Sequence, residues 1–168
     1  PKAISTSARR WFDMDDANLQ TQVAQHGPQL IHWVASVPDV AAACTALSAL
    51  DIERGAITTA SRATPHGLLQ WQITVRGDGA RLMDGCLPTL IQWGAAHPCN
   101  SLPASGVQLE QLALQHPQSA TLQVACDALG VGPQVTVAAG NAPGLSAQLA
   151  TPLGPVTLSP STEKKAAA

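Results

Sequence analysis

Charge is scarce in this chain. Only 12% of its 168 residues are Asp, Glu, Lys or Arg, and the formal net charge is −2 with a pI near 6.2. A nucleic acid or an anionic membrane surface would want a basic stripe, and none is present. The one close pair of arginines, in Ala8–Trp11 (ARRW), lies in a polar leader and reads as solvated linker. No apolar run approaches the ~20 residues of a membrane-crossing helix. A charged-then-apolar leader of the signal type is also missing. So are the CxxC spacing, the P-loop, GxGxxG and GxSxG. These absences leave a small-molecule ligand as the expected partner, with no nucleic acid and no membrane.

What is there is apolar enough to fold. Hydrophobic residues make up 45% of the chain, which suits one compact domain or two small ones sharing a core. Cys44 and Cys126 fall on core positions of predicted helices, where a free thiol acts as a small hydrophobe. With Cys86 and Cys99 also outside any metal or redox spacing, the cysteines point to a reducing, cytoplasmic setting.

The central feature is an internal repeat. Leu30–Ile52 (LIHWVASVPDVAAACTALSALDI) aligns without a gap over Leu109–Val131 (LEQLALQHPQSATLQVACDALGV), at a constant offset of 79 residues. Each copy opens on a strand-like run, turns at a proline and continues with helical spacing. Val40, Ala43, Cys44, Leu47 and Leu50 form one apolar face, with Asp39 as N-cap. Leu122, Cys126 and Leu129 repeat the stripe, and Gly130 supplies a stop.

Three further strands are predicted after each helix. The first copy has Ala56–Ala60, Gly67–Val75 and Leu87–Trp93; the second has Gln134–Ala139, Leu145–Thr151 and Pro155–Leu158. Each copy reads β-α-β-β-β, and Arg76–Gly85 is an insertion in the first. The expected organisation is a leader or linker (1–27, with a short helix near Asp16–Gln25), a first unit (28–94), a linker (95–106), a second unit (107–159) and a disordered tail (160–168).

Duplicated βαβββ units resemble the vicinal oxygen chelate superfamily of glyoxalases, extradiol dioxygenases and antibiotic-binding resistance proteins. Within it the chain is similar to glyoxalase-like domain proteins, in RWFDMD (Arg10–Asp15), SRATPHGLLQWQITV (Ser61–Val75), LPTLIQWGAAHP (Leu87–Pro98) and ATPLGPVTL (Ala150–Leu158). The resemblance implies an α+β fold of two tandem βαβββ units, with mixed sheets, helices on the outer face and a ligand-holding cup inside. It also implies an earlier unit, with an Asp-His strand and a glycine-rich segment, that this sequence lacks. Since the chain starts at Pro1 rather than Met, it reads as a fragment that pairs with such a unit or forms a homodimer.

Alternation along the first strand puts Leu30, His32, Val34 and Ser36 on one face. His32 is therefore open to three readings: a cup-lining residue, a core histidine or a metal ligand. The resemblance makes His32, Gln92, Gln111 and Thr157 the four ligand positions of the superfamily. Only His32 is a good donor, so a divalent metal would need further ligands from an upstream unit.

A second group comprises Arg62, His66, Trp71, Trp93 and His97. Arg62, expected in a loop, suits a carboxylate or phosphate; Trp71 and Trp93 suit either core or a stacking wall. His97 with Cys99 is a weak nucleophile-and-base pattern with no third member, and His26 and His116 read as turn residues. Two functions follow. One is binding of a small organic ligand, anionic ones included, without chemistry; the other is a metal-dependent lyase, isomerase or dioxygenase completed by the missing unit.

Overall fold

The computed structural model describes residues 10–159. The tail expected to be disordered lies outside them, as do Ala8 and Arg9. The architecture is α+β, with two four-stranded mixed sheets and three α-helices.

Helix α1 (Ala17–His26) is capped by Asp16, whose carboxylate accepts from the Leu19 N–H at 2.7 Å. Strand β1 (Val34–Ser36) leads into helix α2 (Val40–Ser48), where Asp39 accepts from the Ala42 N–H at 2.9 Å. Strands β2 (Ala56–Thr64) and β3 (Gly67–Val75) form a hairpin closed by Pro65 and His66. Strand β4 (Thr89–Trp93) then slots between β3 and β1, antiparallel to the first and parallel to the second. The first sheet is thus ordered β1-β4-β3-β2.

The second unit comprises β5 (Gln108–His116), α3 (Ser119–Ala128), β6 (Val135–Ala139), β7 (Gly144–Thr151) and β8 (Gly154–Leu158). The apolar stripe ends at Gly130, whose φ of 73° is the left-handed stop that the spacing predicts. The 79-residue offset is kept along the chain: α2 starts at Val40 and α3 at Ser119, β2 at Ala56 and β6 at Val135. Sideways the copies part company. The second sheet runs β6-β5-β7-β8, so β6 lies parallel beside β5, whereas β2 lies at the far edge from β1.

Both units contribute to one core. Ala35, Val40, Leu47 and Leu90 pack in the same cluster as Leu112, Leu114, Leu122, Cys126 and Leu145. All four cysteines are free thiols, and burial pushes the Cys126 thiol up to about 11.

The segment expected to be polar linker packs against the first sheet from Trp11 onward. Phe12 and Asp13 turn through positive φ, of 63° and 56°, and the Asp13 N–H donates to the Gly79 carbonyl at 2.9 Å. The Asp13 carboxylate accepts from the Arg81 N–H at 3.0 Å and from Arg81 Nε at 3.1 Å. The reason is local: the inserted Arg76–Gly85 supplies both the carbonyl and the arginine that hold it.

Candidate functional site

Side-chain parity divides the first sheet into two faces. Ala35, Leu90 and Gln92 point toward α2, as the bond from the Val40 N–H to Gln92 Oε1 at 2.9 Å requires. Val34, Thr89, Ile91, Trp93, Trp71 and Arg62 belong to the opposite face.

His32 lies on that opposite side and is fully engaged. Its Nδ1 lies 3.1 Å from the Gly85 carbonyl, which can only accept, so Nδ1 carries the proton. Nε2 is then an acceptor, and it takes the Thr89 hydroxyl at 2.9 Å. Thr89 Oγ1 in turn accepts from Arg54 Nη2, while Arg54 Nε donates to the Pro88 carbonyl at 2.6 Å. The result is a one-way chain from Arg54 through Thr89 and His32 to Gly85. The Phe12 ring covers it, 5.0 Å from the imidazole centroid. Burial, with Arg54 and Arg81 adding to it against the Gly85 carbonyl, pushes the His32 pKa down to about 4, so the ring is neutral. Of the three readings, this geometry is that of a bonded structural histidine.

The four superfamily ligand positions do not converge. His32 has no free ring nitrogen, Gln92 caps α2 on the other face, and Gln111 and Thr157 stand on the second sheet, in one row with Gln148. Among the described residues no three His, Cys, Asp or Glu side chains form a group that could hold a metal ion. The donors at these four positions do not fit a divalent cation.

The aromatic candidates do come together. Trp71 and Trp93 are direct partners across β3 and β4, with ring centroids 5.7 Å apart. The His97 ring stands edge-on to Trp93 at 5.2 Å. His97 Nδ1 accepts from the Cys99 backbone N–H at 3.1 Å, so this pair is a turn rather than a base aimed at a thiol. Arg62 sits in β2 opposite Leu69, not in a loop, because the hairpin turns three residues later at Pro65 and His66. It shares the tryptophan face, one row along. His66 is exposed in that turn, and His26 is in the last turn of α1. His116 ends β5, buried, and accepts from the Gln118 N–H at 3.0 Å.

Thr59, Gln70, Gln72 and Gln92, all on the α2 face by parity, line a cleft of about 230 Å³ that Trp71, Trp93 and Gly94 also border. Thr59, Gln72 and Gln92 form a single cross-strand row. Gln70 and Gln72 carry no signal as single residues; only the register reveals that three amides meet here, on the face away from the paired indoles. Among the described residues no charged side chain lines this cleft. A larger groove, about 530 Å³, runs beside α1 between Met14, Leu19, Val23 and Ile31, and contains none of the candidates.

Two mixed sheets with helices outside and a site on a sheet face define a glyoxalase-like protein of the vicinal oxygen chelate type. The glyoxalase-like domain family matches residues 1–130, and the chain belongs to that family. No curated protein and no solved structure matches the chain. The family match ends within two residues of the end of α3, so it covers the whole first unit and the opening of the second.

Proposed function

We propose that the protein binds a small, flat organic molecule against the paired indoles of Trp71 and Trp93, on the face of the first sheet that also carries Arg62. The paired indoles carry this reading. Centroids 5.7 Å apart offer a polarisable surface for an aromatic or conjugated ring. The His97 imidazole, edge-on to Trp93 at 5.2 Å, borders the same surface. An anionic substituent would meet Arg62, one row along the same face.

The test is a titration followed by the indole N–H signals of Trp71 and Trp93, with nicotinamide as a flat neutral amide and nicotinate as its anionic counterpart. Saturable shifts with nicotinamide, at least tenfold weaker in Trp93→Ala, are expected. Absence of saturation with both probes, or an unchanged response in Trp93→Ala, would remove the paired indoles as the site.

A further inference from the structure

Among the described residues Arg54 is a buried cation without a carboxylate partner. It is 3% exposed, and its two hydrogen bonds go to the Pro88 carbonyl and the Thr89 hydroxyl, both neutral. The remaining guanidinium N–H groups meet no protein acceptor among the described residues. Nearby acids are committed elsewhere. Asp78 binds Arg76, Asp13 binds Arg81, and the Glu53 carboxylate takes the Gly55 N–H. Arg76, already paired with Asp78, donates to the Glu53 carbonyl at 3.0 Å and leaves Arg54 as the uncompensated charge.

Arg54 also borders a small cavity beneath Trp11 and Phe12, walled on the other side by Thr74 and Thr89. The Thr74 oxygen accepts from the Leu90 N–H at 3.0 Å, which leaves its own hydrogen free to donate. The Thr89 hydrogen is used on His32. The cavity therefore presents guanidinium N–H and hydroxyl donors, a net positive charge and no free side-chain acceptor. A water there would use only its lone pairs and leave the cation uncompensated; an anion satisfies both demands. Size narrows the choice. At about 10 Å³ the space admits one water-sized atom, so it suits a halide and is too small for phosphate or a carboxylate.

We propose that this cavity is a chloride site, with Arg54 and Thr74 as its donors and the Trp11–Asp13 turn as its roof. Bound chloride then neutralises the cationic end of the chain that runs through Thr89 to His32. The test is a sodium chloride titration of the full chain at constant ionic strength, with sodium gluconate, too large for the cavity, as the balancing salt. The Arg54 Nε–H and Trp11 indole signals are expected to shift with saturation. Thr74→Val, which keeps the cation and loses the hydroxyl donor, should weaken the apparent affinity at least tenfold, and Arg54→Gln should abolish saturation if it folds. A linear, unsaturating response of the unmodified protein would overturn the site. So would an affinity unchanged in Thr74→Val, and neither outcome depends on ligand binding at the paired indoles.

Discussion

At the scale of single residues, His32 decides how the first sheet is to be understood. Its folded pKa of about 4 lies below the ordinary 6.5, so between these values the unfolded chain takes up a proton that the folded chain refuses. The associated stability is fully present above pH 6.5, falls as the pH drops through the window and is gone below 4. At about 1.4 kcal/mol per unit the span is on the order of 3 kcal/mol. Urea unfolding between pH 7 and pH 4 should show that loss, and His32→Gln should flatten it; an equal slope in the variant would assign the loss to other groups. Thr89→Val strands both neighbours in the bonded chain, leaving His32 Nε2 without a donor and Arg54 Nη2 without an acceptor. It should cost about 1–3 kcal/mol of unfolding free energy at pH 7. The sequence places His32 in a strand that the structure begins only two residues later, at Val34, and it says nothing of its partners. Gly85 and Thr89 lie 53 and 57 positions away, and only the β1–β4 pairing brings them near.

At the scale of elements, local chemistry is legible and lateral placement is not. Asp39 as a cap, the stripe through Val40 and Leu47, and Gly130 as a stop are all contained in a few neighbouring residues. The hairpin that takes Arg62 into β2 extends four residues past the predicted end at Ala60, because Thr64 and Gly67 pair where a loop is expected. One element has a strict requirement of its own. The turn Leu82–Gly85 places Gly85 at φ 94°, where an added Cβ would lie 2.1 Å from the Ile31 carbonyl. Gly85→Ala should destabilise by roughly 3 kcal/mol or more, since left-handed strain and a backbone clash coincide. Gly130→Ala has open space at a similar φ, so its penalty should be the smaller of the two in denaturant melts.

At the scale of the whole molecule, the shared core binds the two units into one cooperative structure. Leu122 is fully buried among residues of both copies. Leu122→Ala should lower stability by about 2–5 kcal/mol. Circular dichroism and the indole fluorescence of the first unit should then shift to the same lower midpoint, although Leu122 belongs to the second unit. Separate transitions would mean that the units melt independently. The repeat in the sequence foretells the order of elements because the offset holds from α2 to α3 and from β2 to β6. It cannot foretell that β6 settles beside β5 while β2 goes to the opposite edge, since sheet neighbours are chosen by tertiary packing. That divergence has a consequence in stoichiometry. Sheets ordered β1-β4-β3-β2 and β6-β5-β7-β8 set equivalent strands at different places, and the row of Gln111, Gln148 and Thr157 has no pair of indoles to match Trp71 and Trp93. A chain with a doubled sequence but undoubled surfaces offers the paired indoles once, so binding there saturates at a single equivalent per chain.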